Sequence, residues 1–80
     1  MFVLCKKDVV DYEKGNEVSY KAGEKYEAKI VADDDLLAKG NSGEFALIGV
    51  SPEDRKRIGI KDGTSKWGSW FDEHFEVIVQ

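Results

Sequence analysis

Every second residue is apolar in the two segments that flank Gly23, an alternation too fast for a helix. The residues that share these even positions are Val18, Tyr20, Tyr26, Ala28, Ile30 and Ala32. A period of two places such side chains on one face of a strand, with that face buried. Gly23 lies in the "KAGE" stretch between the segments and predicts a turn, because glycine adopts positive φ readily. The sequence thus predicts neighbouring strands here, with Tyr20 in the core.

Other short segments extend the β pattern along the chain. "FVLCKK" near the start, and "LLAK", "EFALIGV" and "FEVIV" further on, have the length and composition of strands. Gly40, Asn41 and Gly43 lie between two of these segments and are typical of a hairpin turn. We expect a four-residue loop there.

A short helix is predicted in the segment "SPEDRKR". Ser51 is a suitable N-cap, Pro52 suits the first helical position, and Asp54 stands three residues after the cap. The basic residues 55–57 occupy successive positions and would spread around the helix axis, so we expect them to be solvated. We expect the helical insertion to cover about residues 51–66.

The chain of 80 residues has room for one hydrophobic core, since so short a chain buries only about 60 to 65% of its extended surface. Cys5 is its single cysteine, so packing must hold the fold together without an internal disulfide. We therefore predict one domain over residues 1–80. Its expected fold is mainly β, a small barrel of five to six strands with one short helical insertion.

Large aromatic residues are concentrated near the end of the sequence, at Trp67, Trp70, Phe71 and Phe75. Trp67 and Trp70 are three residues apart, so in a strand they would face opposite sides and leave one indole exposed. The alternative is that both pack over the open end of the small core.

The charge balance argues against general nucleic-acid binding. Sixteen Asp and Glu against twelve Lys and Arg give a net charge of −4, whereas affinity for a phosphate backbone comes largely from cations. No apolar run approaches the roughly 20 residues that a membrane-spanning helix needs. We expect a soluble, cytoplasmic protein without membrane association.

The residues offer little support for catalysis or metal binding. Cys5 and His74 could form a nucleophile and base if the end strands were neighbours, but Cys5 lies among apolar residues and reads as a small core residue. The acidic run 33–35 lacks the spaced ligands of a calcium loop, and a solvated loop is the simpler interpretation. We expect no enzyme activity, no cofactor and no metal.

The motif order resembles that of a Src-homology-three domain, a small barrel whose sequence begins with an Ala-Leu-Tyr-Asp-Tyr motif. The stretch "DVVDYEKGNEVSYKAGEKYE" matches it at Asp11-Tyr12, in the acidic loop that follows, and at the diverging turn at Gly23. "WFDEHFEVI" resembles the family's closing Trp-Phe-Pro-x-Asn-Tyr-Val pattern. The resemblance covers most of residues 5–48 and 68–79, and it implies a barrel that binds peptides.

The departures from the family fall on its ligand groove, which holds proline-rich peptides between aromatic side chains. Tyr12 is retained. Val10 stands at the first motif tyrosine, Leu36 at the groove tryptophan, Asp72 at the proline and Phe75 at the last groove tyrosine. The resemblance therefore implies a binding module that does not take ordinary proline-rich peptides.

A looser resemblance links the chain to small phage and prophage proteins of this barrel type. It rests on "CKKD", on the Gly-x-x-Tyr turn from Gly23 to Tyr26, and on the terminal "WFDEHFEVI". It implies a non-enzymatic accessory protein.

The leading hypothesis is a small module that binds a protein partner through its aromatic and acidic surface. One alternative is an acidic, phage-type inhibitor that imitates nucleic-acid phosphates, and another is a homo-oligomer joined through an edge strand. The candidate partner-binding residues are Tyr12, Glu13, Glu17, Asp33, Asp34, Asp35, Trp67, Trp70, Asp72 and Phe75.

Overall fold

The fold is mainly β, as the alternating pattern predicts. The computed structural model describes residues 1–31, 34–59 and 66–78. Its strands are β1 (Phe2–Cys5), β2 (Val9–Asp11), β3 (Glu17–Tyr20), β4 (Lys25–Ile30), β5 (Leu36–Lys39), β6 (Phe45–Gly49) and β7 (Phe75–Ile78). Its helices are a 3₁₀ turn (Tyr12–Lys14), α1 (Pro52–Ile58) and α2 (Ser69–His74). No helix within these residues is both long and apolar enough to span a bilayer.

The strands form two antiparallel sheets rather than the predicted closed barrel. The larger sheet has the order β6-β5-β4-β1-β7, and β2 and β3 form a separate pair. In the described ladders, β6 and β7 each pair on one side only. Helix α2 contacts both of these outer strands.

The turn at Gly23 is confirmed, with a φ of 89°. The Gly23 N–H donates to the Cys5 carbonyl (2.7 Å) and the Cys5 N–H donates to the Glu24 carbonyl (2.9 Å), which fastens the turn to β1. Tyr20, Tyr26 and Ala28 are buried as the alternation predicts. Val18 and Ile30 are exposed, the former on the separate β2–β3 pair and the latter at the end of β4. Ala32 lies outside the described residues.

The β5–β6 connection spans residues 40–44, one residue longer than predicted. Gly43 has a φ of 87°, and its N–H donates to the Gly40 carbonyl at 3.0 Å. This positive φ explains the glycine, because other residues rarely adopt such a conformation.

Helix α1 begins as predicted, but its basic residues are not all solvated. The Ser51 hydroxyl accepts from the Asp54 N–H at 3.3 Å, and the Ser51 N–H donates to the Asp35 carboxylate at 2.8 Å. Arg55 is 4% exposed, and its guanidinium donates to the carbonyls of Val50 and Lys66. Buried hydrogen bonds therefore hold Arg55 in the interior, contrary to the expectation of a solvated helix. Residues 60–65 of the expected insertion lie outside the described residues.

The aromatic tail contains a helix that the sequence did not predict, and the predicted "FEVIV" strand follows it. Helix α2 includes Trp70 and Phe71, and β7 begins directly after it at Phe75. Phe71 and Phe75 stack with ring centroids 6.0 Å apart, and Trp67 contacts Phe71 edge-on at 5.2 Å. The buried hydrophobic core consists of Val3, Cys5, Tyr20, Tyr26, Ala28, Leu36, Ala38, Ile48, Trp67, Phe71 and Phe75.

Candidate functional site

A groove of about 590 Å³ runs beside strand β6 and is called the β6 groove here. Its walls are β2 with the 3₁₀ turn on one side and the β6 residues 45–48 on the other, and Trp70 of α2 also lines it. A volume of a few hundred cubic ångströms is typical of a site that holds a small molecule or a few side chains of a partner. The groove therefore has room for a ligand of this size.

Local hydrogen bonding fixes the 3₁₀ turn that carries Tyr12. The Asp11 carboxylate accepts from the Glu13 N–H at 3.0 Å and caps the turn. Gly15, with a φ of 71°, ends it in the left-handed conformation. This geometry leaves Tyr12 81% exposed at the rim of the groove.

The opposite wall carries apolar side chains that the core does not cover. Phe45 and Leu47 are both exposed, Leu47 to 52%. The Lys29 ammonium lies 4.3 Å from the centre of the Phe45 ring, which covers part of that ring with a cation. Trp70 is 41% exposed and stacks on the His74 ring at 4.3 Å. Tyr12, Phe45, Leu47 and Trp70 thus present apolar surface to one groove.

The charged residues that line the groove are mostly acidic. They are Asp11, Glu13 and Glu44, against the single cation Lys14. The Lys14 ammonium lies 3.9 Å from the Glu44 carboxylate, and both side chains are exposed, so this pair is weak. The groove combines apolar walls with a negative rim.

Three of the predicted partner-binding residues, Tyr12, Glu13 and Trp70, line the β6 groove. Glu17 lies in a neighbouring shallow depression, together with Lys14 and Asn41.

The remaining predicted residues have other surroundings, and two of them are in the core. Trp67 is buried and its indole N–H donates to the Asp34 carbonyl at 3.1 Å; Phe75 is 1% exposed. Their side chains therefore pack inside the protein instead of forming a surface, which corrects the expectation. Asp35 is used to hold Ser51 at the start of α1. Asp33 lies outside the described residues.

Two lysines of the β1–β2 connection contact α2, one through a carboxylate and one through a backbone carbonyl. The Lys7 ammonium lies 2.7 Å from the Glu73 carboxylate, and the Lys6 ammonium donates to the Asp72 carbonyl. The hydrogen bond and the charge of Lys7 lower the pKa of Glu73. Cations thus offset part of the negative charge on this side of the molecule.

Cys5 and His74 lie on neighbouring elements, but each side chain contacts a backbone carbonyl instead of the other side chain. Strands β1 and β7 pair, with Cys5 opposite Phe75. The Cys5 thiol donates to the Lys7 carbonyl at 3.1 Å, and burial raises the pKa of this thiol. His74 Nδ1 lies 2.8 Å from the Trp70 carbonyl. Within the described residues, no cluster of three or more His, Cys, Asp or Glu is arranged to hold a metal ion.

The sequence interpretation missed the β6 wall of the groove. The run "EFALIGV" predicts a strand, but an uninterrupted apolar run gives no sign of which face is covered. The sequence has no charged residue from Phe45 to Val50 that would distinguish the exposed face from the covered one.

The chain has no detected similarity to a known protein family, a curated protein or a solved structure. No family model matches it. Neither the curated proteins nor the solved structures include a match.

Proposed function

We propose that the chain is a small, non-enzymatic protein-binding module, which holds a peptide segment of a partner protein in the β6 groove. The observation that carries this proposal is the convergence of Tyr12, Phe45, Leu47 and Trp70 on one groove. Exposed apolar side chains gathered in a concave surface are typical of binding sites, and Trp and Tyr are the residues that most often dominate binding energy.

We also propose that the fold is of the Src-homology-three type. The antiparallel ladder from β6 to β7, the separate β2–β3 pair that carries Tyr12, and the turn at Gly23 support this. Leu36 and Phe75, the counterparts of two groove aromatics of that family, are buried. The expected partner is therefore not an ordinary proline-rich peptide, since those two pocket walls are absent from the surface.

The alternative of a nucleic-acid mimic has weaker support. Such a mimic needs unpaired carboxylates at regular intervals, whereas Glu73 is bridged by Lys7 and Asp35 binds the Ser51 N–H. We do not propose it.

Selection from a random peptide library, displayed and captured on the immobilised full chain, tests the proposed function. Selected peptides are then measured by calorimetry against the wild type and Leu47→Glu. We expect Leu47→Glu to weaken binding by about tenfold or more, because it places a charge in an apolar wall that the ligand desolvates.

Val77→Glu is the matched control. Val77 is 36% exposed and lies on β7, the other outer strand, outside the β6 groove. We expect it to bind selected peptides as the wild type does. A selection that yields no binding peptide, or peptides that bind Leu47→Glu as well as the wild type, would contradict the proposed function.

A further inference from the structure

The backbone of β6 has an open edge that faces the groove. The Gly40 N–H donates to the Glu44 carbonyl at 3.0 Å, and Ala38 stands opposite Ala46 in the ladder. Because hydrogen-bonded and non-hydrogen-bonded pairs alternate along an antiparallel ladder, the peptide groups of Glu44 and Ala46 point to β5. Those of Phe45 and Leu47 therefore point away from β5. Strand β6 ends the described sheet on this side, so two N–H and two C=O groups are available to a further strand.

The first part of this edge, from Phe45 to Leu47, precedes the irregularity of the β5–β6 ladder, which falls between Leu47 and Gly49. Soluble proteins protect outer strands with lysines, prolines, bulges or a covering element. From Phe45 to Val50 the sequence "FALIGV" contains no charge and no proline. The edge also lies in a groove, where the residues 9–14 form a second wall that would enclose an added strand. The Phe45–Leu47 edge of β6 lies in a groove and is suited to pairing with one extended segment.

The charges around the groove favour a basic ligand. Among the lining residues, the three carboxylates of Asp11, Glu13 and Glu44 face one ammonium, that of Lys14. The Lys29 ammonium beside the Phe45 ring reduces this excess of two negative charges to one. Glu44 directly precedes β6, and Asp11 and Glu13 lie on the opposite wall. A segment with Lys or Arg next to its apolar residues would place opposite charges beside these carboxylates.

We propose that the ligand of the β6 groove is an extended peptide segment that adds to β6 as a further strand, with apolar side chains at alternate positions and Lys or Arg at its ends. This inference rests on the proposed function and specifies its ligand. Hydrogen bonds to the Phe45 and Leu47 peptide groups supply affinity, and the pockets between Tyr12 and Trp70 accept the alternate side chains.

The test uses one synthetic probe, Lys-Val-Thr-Val-Thr-Val-Lys, acetylated and amidated, with the full chain. Two N-methylated isomers of the probe are compared with it. One carries backbone N-methyl groups on the three valines, and the other carries them on the two threonines and the last lysine. Strand addition uses the N–H groups of alternate residues only. We expect one isomer to lose binding by about tenfold or more and the other to bind nearly as the parent does.

Amide hydrogen exchange supplies a second readout on the protein. We expect the N–H groups of Phe45 and Leu47 to become protected when the probe binds, whereas that of Ala46 is already protected by β5. A peptide with glutamates in place of both lysines should bind more weakly, and added salt should reduce that difference.

The outcomes separate this inference from the proposed function. Two results would each overturn the strand-addition inference and leave the proposed function standing: library peptides that bind the groove while the probe does not, and equal binding by both N-methyl isomers. Capture of proline-rich sequences would overturn this inference and also the expectation that the partner is not an ordinary proline-rich peptide. The N–H groups of Phe45 and Leu47 could instead be protected without peptide and lose this protection on dilution. That result would assign the edge to a second copy of the chain and would also overturn the strand-addition inference. If neither the library nor the probe yields a groove ligand, both proposals fail.

Discussion

The core and the β6 groove use the same aromatic residue types in opposite ways. Trp70 and Phe71 are neighbours in sequence on α2, yet Trp70 lines the groove and Phe71 is fully packed in the core. Tyr12 and Tyr20 differ in burial in the same way, although Tyr12 begins the turn between β2 and β3 and Tyr20 ends β3. Tyr20 donates its hydroxyl to the Ala38 carbonyl at 2.6 Å, and Tyr12 is exposed. Aromatic content alone therefore does not reveal a binding surface.

The largest expected effect separates Phe71 from Trp70. Phe71→Ala should destabilise the fold by about 3–5 kcal/mol, because it leaves a cavity beside Trp67 and Phe75. Trp70→Ala should cost roughly 1–2 kcal/mol and abolish groove binding. Chemical denaturation and calorimetric titration measure the two quantities. Equal losses of stability for the two variants would remove the contrast.

The next effect concerns the packing of Trp67 against β6. A Cβ at Gly49 would lie 2.6 Å from the Trp67 Cβ, so Gly49→Ala must displace the indole or the strand. We expect a loss of about 1–3 kcal/mol and a shift of the Trp67 indole N–H resonance. Ala46→Ser on the same strand is the control and should change stability by less than about 0.5 kcal/mol. An unshifted indole signal would show that the close approach of Gly49 to Trp67 does not fix the position of the indole.

A smaller effect distinguishes the two tyrosine hydroxyls. Tyr20→Phe should cost about 0.5–1.5 kcal/mol through loss of the bond to Ala38, and Tyr12→Phe should cost almost nothing. Burial is the main reason that the pKa of Tyr20 is raised to about 12 from 10.0.

The pH dependence of folding stability gives a second test of the Tyr20 hydroxyl. Below pH 10 both the folded and the unfolded chain keep the Tyr20 proton, so its contribution is constant. Between pH 10 and about 12 the unfolded chain releases that proton first, and stability falls as the pH rises. Denaturation of wild type and Tyr20→Phe across this range should show a shallower decline in the variant. Identical slopes would contradict the assignment.

The smallest effect belongs to the surface pair of Lys7 and Glu73. Lys7→Gln should return the pKa of Glu73 towards its ordinary value, because the hydrogen bond and charge that lower it are removed. The stabilising effect of the pair is present above that ordinary pKa and is lost as the pH falls through the lowered one. Both side chains are exposed, so we expect no resolvable change in melting temperature at neutral pH. Side-chain NMR titration measures the pKa directly.

The strands and the start of α1 were predictable because local chemistry decides them. Tyr26 and Ala28 alternate with charged residues, and Ser51 with Pro52 satisfies the first turn of a helix whatever surrounds it. Helix α2 was missed because Gly68 provides no side-chain cap. Trp67, Phe71 and Phe75 are four residues apart and all buried, but only Phe71 lies within α2, so this spacing does not mark the helix either.

The groove and the buried cation depend on contacts between distant parts of the chain. Arg55 is buried because the carbonyls of Val50 and Lys66 meet at its guanidinium, and no local pattern encodes that meeting. Tyr12 and Trp70 could be predicted as partner-binding residues, since large aromatics in polar surroundings suggest exposure. Phe45 and Leu47 could not, because only the sheet order reveals that β6 is an outer strand.

The position of Cys5 gives the protein an intrinsic reporter of local opening. It is the chain's only thiol, fully buried on β1 between β4 and β7. A thiol reagent can reach it only when this central part of the sheet separates, so the labelling rate measures the free energy of that separation. Ligands that order only the outer strand would leave the rate unchanged, whereas ligands that stabilise the entire sheet would slow it.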